Sequence, residues 1–342
     1  MTDDVADSRR AEIQGDRVAR LDRMVEIRAF EDQVRDLFAE GKVHGSTHLA
    51  QGQEAVAVGL ASALRTSDTV TCTYRGHGVA LALGLEPERV LGEIMGRTAG
   101  TMDGLGGSMH LSDRRVGLLP TFAIVGAGIP VAAGAALTAQ VRGTDDVGVA
   151  VFGDGATNIG AFHEALNLAA IWRLPALFVI ENNVYGEYSR YHLTTPVKDL
   201  AVRGDAYGMP WRVVDGQNVD EVVWHVGEAV SDIRAGQGPR LLELKTYRYA
   251  GHSRSDPAAY RPAGEFEAWL ERDPIERFRG RLVAEGRLSN ADAEQMETDV
   301  AERIEAALRA VEASPAPEPA AMFRHVWAKP LGAATALGGG DA

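Results

Sequence analysis

One cysteine, Cys72, in 342 residues leaves no partner for an internal disulfide and excludes a metal site built on thiolates. It stands in a β-branched run and reads as a small strand residue. No window approaches the roughly 18 uninterrupted apolar residues of a membrane-spanning helix, so no span is expected. Positive charge is outnumbered: 35 Lys and Arg face 48 Asp and Glu, for a net charge of −13 and a pI near 5.2. That sign repels phosphate backbones and anionic lipid, so nucleic acid and a membrane surface are not expected partners. The acidity itself reads as a solubility device. Residues 1–14 carry Asp3, Asp4, Asp7, Arg9 and Arg10 around no apolar core, which does not make a signal peptide, and the simplest expected location is cytoplasmic. No repeat of about 20 to 50 residues is found.

What remains is the balance of a soluble globular protein, 45% apolar and 24% charged. The length allows one large domain or two ordinary ones. Apolar residues recur at helical spacing over 21–38 (Leu21, Met24, Val25, Ile27, Val34, Leu37, Phe38), with Gly41 as a stop, and a second helix is expected over 54–64. A short β-branched strand over 69–73 precedes two short helices over 77–83 and 87–95. Residues 129–141 form an Ala-rich helix and 147–152 an apolar run; 159–172 is helical again and 176–180 is a second apolar run. Strands without polar alternation are buried on both faces, as in parallel sheets covered by helices. Further strands at 211–214 and 241–246 flank a helix over 219–235. This alternation predicts an α/β fold, a doubly wound and mostly parallel sheet flanked by helices. After a polar loop reaching about residue 264, helices run to 313. Ser314 to Pro319 reads as a stiff extended linker, and the final Gly338-Gly339-Gly340 as disordered.

Between these elements, residues 96–128 hold eight glycines (Gly96, Gly100, Gly104, Gly106, Gly107, Gly117, Gly126 and Gly128) and no sustained period. So long a loop is commonly functional. Its glycines serve either backbone approach to a ligand or tight turns, and the sequence leaves both open.

Gly153-Asp154-Gly155 directly follows the apolar strand at 147–152 and precedes a helix. Ligands of open α/β sheets bind at the carboxyl ends of the strands, and a helix N-terminus there offers amides to phosphate. Mg²⁺ takes one or two carboxylates together with phosphate oxygens and water, so a single Asp beside a diphosphate suffices. The next apolar strand ends in Glu181-Asn182-Asn183-Val184-Tyr185. If the two strands are neighbours, Asn183 reaches the same ion with its amide oxygen, and Tyr185 can add its carbonyl. Each residue alone could be an ordinary turn residue. Together, at the ends of consecutive apolar strands, they predict a Mg²⁺-held diphosphate cofactor. A dinucleotide site is a weaker reading: Gly126-Ala127-Gly128 lacks the third glycine and the preceding strand.

Gly-Asp-Gly followed by Asn-Asn resembles the thiamine-diphosphate motif, with Asp154 and Asn183 at its ligand positions. The blocks Thr47-His48-Leu49, Gly52-Gln53-Glu54-Ala55, Tyr74-Arg75-Gly76-His77-Gly78, Gly106-Gly107-Ser108-Met109-His110, Ile124-Val125-Gly126 and Thr246-Tyr247-Arg248-Tyr249 with Gly251-His252-Ser253 narrow the resemblance. They resemble the α subunit of the decarboxylating component of 2-oxo-acid dehydrogenase complexes, of the pyruvate and acetoin type, over about 21–313. The resemblance implies a thiamine-diphosphate-binding fold with helical N- and C-terminal extensions. It divides the chain into a flexible segment (1–20), the cofactor-binding α/β domain with its C-terminal helices (21–313) and a Pro/Gly-containing tail (314–342).

It also implies roles for particular residues. Asp154, Asn183 and the Tyr185 carbonyl hold Mg²⁺. Tyr74 and Arg75 grip the diphosphate, Gly155 and Ala156 cradle it through backbone, and Val125 meets the aminopyrimidine. His252 faces the phosphates and the intermediate from a loop, and His48 stands near the substrate carbonyl. Ala123 stands where the family often has Gly, and Ser253 in a segment phosphorylated in mitochondrial relatives. Polar loops are where function concentrates, which fits His48 and His252; His77 and His110 read equally well as satisfied turn residues. The implied reaction is oxidative decarboxylation of a 2-oxo acid, pyruvate favoured, with acyl transfer to a lipoyl-bearing acyltransferase. The glutamate that activates the cofactor is implied on a β subunit, in an α₂β₂ assembly. Acetoin or branched-chain substrates are the alternatives within the family. A catalytically silent cofactor-binding subunit and a nicotinamide-dependent dehydrogenase are the alternatives outside it.

Overall fold

A computed structural model describes residues 2–43, 45–253, 255–324 and 326. The chain begins with helices α1 (Thr2–Gly15), α2 (Arg17–Ala39) and α3 (Glu54–Ser62), followed by β1 (Thr69–Thr73), α4 (His77–Ala82) and α5 (Pro87–Ile94). Then come β2 (Leu118–Phe122), α6 (Gly128–Arg142), β3 (Gly148–Gly153), α7 (Gly160–Trp172) and β4 (Ala176–Asn182). A small hairpin, β5 (Tyr185–Gly186) and β6 (Ser189–Arg190), leads through α8 (Tyr191–Thr194) to β7 (Trp211–Asp215), α9 (Val219–Arg234) and β8 (Arg240–Lys245). Helices α10 (Glu265–Leu270), α11 (Pro274–Ala284) and α12 (Asn290–Ala313) complete the regular structure.

Six strands form one sheet in the order β2-β1-β3-β4-β8-β7, and every pairing is parallel. The period of two along each strand divides its side chains between two cores. Val149, Val151, Leu177 and Val179 face the larger one, built with α1 to α5, α9, α11 and α12. Ala150, Phe152, Phe178 and Ile180 face the smaller one, beneath α6 and α7. Both faces are therefore apolar, as the unbroken runs predicted, and each fully buried Val, Ile or Phe contributes about 1.5–3 kcal/mol. The doubly wound parallel sheet expected from the sequence is the sheet observed.

Two expectations differ from the structure. β2 lies inside 96–128, the stretch read as loop. Pro120 interrupts its pattern, but β2 is an edge strand paired on one side only, where proline is tolerated. At the N-terminus, a flexible segment was expected over 1–20, yet α1 is helical from Thr2 to Gly15. Ile13 is fully buried, and Arg10, 1% exposed, donates to the carbonyls of Leu83, Arg65 and Val116. A polar composition concealed an arginine whose fork ties three main-chain segments together. Ser314, at the start of the expected linker, bonds Thr98 Oγ1 at 3.1 Å and the Ala99 amide at 3.0 Å. Gly338 to Gly340 lie outside the described residues. Among the described residues no helix is long and apolar enough to cross a membrane.

Candidate active site

Chain order reverses between β1 and its neighbour β3: from β1 the chain moves to β2 on one side, then back to β3 and β4 on the other. Such a switch point leaves a crevice at the carboxyl ends of the strands. Here the crevice is a pocket of about 620 Å³. All ten residues singled out from the sequence line it: His48, Tyr74, Arg75, Val125, Asp154, Gly155, Ala156, Asn183, Tyr185 and His252. They arrive from the turn before α3, from the ends of β1, β3 and β4, from the β2–α6 connection, and from the segment after β8.

Asp154 opens a 3₁₀ turn (Asp154–Asn158) immediately after β3. Its carboxyl is 2% exposed, and neither oxygen receives a hydrogen bond. Burial pushes its pKa up to about 6; the nearby main-chain amides of Asp154 and Asn183 oppose this without reaching bonding geometry. A buried acid without donors is costly and calls for a cation or a proton. On the neighbouring strand, Asn183 donates its Nδ2 to Gln53 Oε1 at 2.8 Å, and its Oδ1 lies 3.4 Å from the Tyr185 amide. Gly153 pairs with Glu181 across β3 and β4, which brings the two strand ends level. A carboxylate, an amide oxygen and a backbone carbonyl form a hard-oxygen donor set, and these residues fit Mg²⁺.

The opposite wall is aromatic. The His48 ring lies 4.2 Å from that of Tyr74 and 5.0 Å from that of His252, centroid to centroid. Burial, then Arg75, pushes His48 down to about 3 and His252 down to about 4, so both imidazoles are neutral near pH 7. His48 Nδ1 is buried without a partner. Arg75 lines the pocket, yet its guanidinium donates to the carbonyls of Leu49 (2.6 Å) and His252 (2.9 Å), bracing both histidine segments. His77 is a buried residue outside the pocket, held between Glu31 (3.0 Å) and Ser108 (2.9 Å), and His110 is exposed.

Sequence reasoning left three ionisable pocket residues without a role, Arg248, Glu181 and Glu187. Arg248, 1% exposed, donates to Tyr185 O (3.5 Å), Glu187 O (3.0 Å) and Tyr260 OH (2.6 Å). It follows β8 by three positions, and a basic residue just beyond a buried strand end was the available signal. Glu181, on β4 itself, is pushed up to about 7 by burial. An acid within an otherwise apolar strand was visible in the sequence, but its direction was not.

Pocket and fold together define an α/β chain with a ligand-sized crevice at the switch point of a parallel sheet. Residues 22–320 match the model of the dehydrogenase E1 component family. The chain is 42% identical to the alpha subunit of acetoin:2,6-dichlorophenolindophenol oxidoreductase of Bacillus subtilis, over 89% of this chain and 91% of that one. It is 40% identical to the pyruvate dehydrogenase E1 component subunit alpha of Zymomonas mobilis (89% and 86% covered). It is 37% identical to the subunit of that name from Rhizobium meliloti (89% and 87%). The chain belongs to the dehydrogenase E1 component family. That is the family its motifs resemble, one of thiamine-diphosphate-dependent oxidoreductase components.

Proposed function

We propose that this chain is the alpha subunit of a 2-oxo-acid dehydrogenase E1 component, with pyruvate as the favoured substrate, and that it acts in the cytoplasm. In this reading Asp154, Asn183 Oδ1 and the Tyr185 carbonyl hold Mg²⁺ against the diphosphate of thiamine diphosphate. The carrying observation is the Asp154 carboxylate, 2% exposed and without a hydrogen-bond donor. Bound there, the cofactor supplies an acidic thiazolium carbon and an electron sink.

The chain's own residues do the rest. Gly155 has only Gly186 Cα near its missing side chain, at 3.5 Å, so its backbone is open to phosphate, with Ala156 beside it. Tyr74 and Arg75 bound the diphosphate end, and Val125 the aminopyrimidine end. His48 and His252, both neutral, can each donate one ring N–H to a carbonyl oxygen and accept a proton at the other nitrogen. Near pH 7 they carry no charge that would bind a carboxylate electrostatically, so their role is proton placement.

A beta subunit completes the site in this reading and supplies the activating glutamate. Its support is the open rim: Ile124 and Val125 are 72% and 41% exposed. The outer faces of α6 and α7 add exposed Val131, Val141, Leu168, Ile171 and Trp172. An apolar surface of that extent marks a protein interface. An α₂β₂ assembly handing acyl groups to a lipoyl-bearing acyltransferase follows from the same reading. Acetoin is the second substrate reading, favoured by the 42% identity to an acetoin oxidoreductase subunit.

Calorimetric titration of thiamine diphosphate with Mg²⁺ tests the site: Asp154→Ala is expected to abolish metal-dependent binding, and unchanged affinity rejects the assignment. Dye reduction with pyruvate, branched 2-oxo acids and acetoin, with and without the beta partner, then assigns the substrate. Full turnover by this chain alone would refute the shared active site.

A further inference from the structure

We infer that Gln53 is a positioning residue for the metal site: it sets which end of the Asn183 amide faces Asp154. This step rests on the Mg²⁺ reading above and extends it to a residue 130 positions away in sequence.

An asparagine amide presents oxygen on one side and NH₂ on the other, and only oxygen can ligate a hard cation. Left free, Asn183 could turn either end toward Asp154. The Gln53 side chain, 1% exposed, offers Oε1 to Asn183 Nδ2 at 2.8 Å. That contact commits the NH₂ end away from the pocket. The Tyr185 amide, 3.4 Å from the opposite atom, requires that atom to be oxygen.

Gln53 can impose the choice because its own backbone is clamped. Gly52, at φ 89°, lies so close to Tyr247 that an added Cβ would stand 2.4 Å from its carbonyl oxygen. Thr246 Oγ1 holds Gly52 O at 3.0 Å, and the Tyr249 amide holds Gln51 O at 3.0 Å. Glu54 Oε1 binds the Gly52 amide at 3.0 Å and takes Arg28 Nε at 2.5 Å. The residues on either side of Gln53 are thus tied to α2 and to the segment leaving β8. Gln53 Nε2 is buried with no acceptor, so the side chain makes this contact at the cost of an unmet donor.

The test is a Mg²⁺ titration of the full-length protein in saturating thiamine diphosphate, followed by calorimetry, with ligand-free thermal melts alongside. Gln53→Leu removes the acceptor and is expected to raise the Mg²⁺ dissociation constant by about 10- to 100-fold. Gln53→Glu keeps an acceptor at the same place and is expected to restore binding to within about threefold, the difference being the isolated hydrogen-bond effect. Equal affinity in wild type and Gln53→Leu overturns the inference. Equal losses in both variants, tracking equal losses of ligand-free melting temperature, overturn it as well, since that pattern is purely structural. Asp154→Ala run in parallel separates the levels. If it too keeps wild-type affinity, the metal reading itself falls and this step with it; if it loses the metal while Gln53→Leu does not, only this step falls.

Discussion

Glu93 and Asp154 are buried to the same depth, 0% and 2% exposed, and differ in what surrounds them. Glu93, on α5, accepts four main-chain hydrogen bonds: Oε2 from Met102 (2.7 Å) and Gly104 (3.0 Å), Oε1 from Gly106 (2.6 Å) and Gly107 (3.2 Å). Asp154 accepts none. The first carboxylate is saturated by its own chain and so organises it. The second is left unsaturated at the mouth of a crevice, which is the condition for binding something the chain does not contain. Depth of burial alone would not separate a scaffold acid from a ligand acid; the donor inventory does.

The largest effect that would break this comparison is on stability. Glu93→Ala leaves four amides without their acceptor, each costing about 1–3 kcal/mol if it stays dry, so a loss of about 4 kcal/mol or more is expected in urea denaturation of the ligand-free protein. A loss under about 1 kcal/mol would show that water replaces the carboxylate and that saturation is not what distinguishes the two acids.

At Asp154 the expected sign is opposite and depends on pH. Its folded pKa, raised by burial to about 6 from 3.8, makes the ionised form the costly one. Between these values the folded state holds more protons than the unfolded state, so stability falls as pH rises. The penalty is absent below pH 3.8 and complete above about 6. At about 1.4 kcal/mol per unit it amounts to roughly 3 kcal/mol. Ligand-free Asp154→Asn is therefore expected to be more stable than wild type by about 2–3 kcal/mol at pH 7.5, the advantage vanishing toward pH 4. The histidines cancel in this difference because both proteins carry them. A variant less stable than wild type at pH 7.5 would mean that the carboxylate is already satisfied in the folded protein.

The same two acids mark what the sequence disclosed. Asp154 stood at the end of an apolar strand, where topology alone makes a residue a candidate, and unbroken apolar runs announce a buried parallel sheet without any knowledge of partners. Glu93 was silent, because a carboxylate inside a short helix looks like a solvated one until its four donors, 9 to 14 residues later, are seen to fold back on it. The glycines of 96–107 were ambiguous for the same reason. A Cβ on Gly100 would stand 2.4 Å from Glu93 Oε2, and one on Gly106 would stand 2.7 Å from His110 O. Gly100 and Gly106 pack tightly around Glu93 and Gly104 against residues 96–97, whereas a Cβ on Gly107 would meet nothing within 4 Å; none of them lines the site pocket. Arg10 and Arg248 were missed likewise: their acceptors are main-chain carbonyls and a hydroxyl, supplied by segments that only the fold brings together.

The smallest predicted effect concerns backbone rather than charge. Around Glu93 the left-handed positions are mostly glycine (Gly96, Gly104, Gly107), with Asp103 at φ 58° a residue that tolerates the conformation. Beside Asp154 one such position is Val184, at φ 80°, between two of the residues proposed to hold the metal. A β-branched side chain there is strained by about 1–3 kcal/mol. The Val184 amide bonds Asn182 Oδ1 at 3.1 Å, and its carbonyl accepts from the Tyr191 amide at 3.0 Å, which holds the loop in place. Glycine would release the strain while loosening the unfolded chain, so Val184→Gly is expected to stabilise the ligand-free protein by a net of about 1 kcal/mol. Its Mg²⁺ affinity should not rise, because the valine restricts the loop that presents Asn183 and Tyr185. Lower stability in Val184→Gly would show that the position is unstrained, and the contrast between the two loops would then rest on their carboxylates alone.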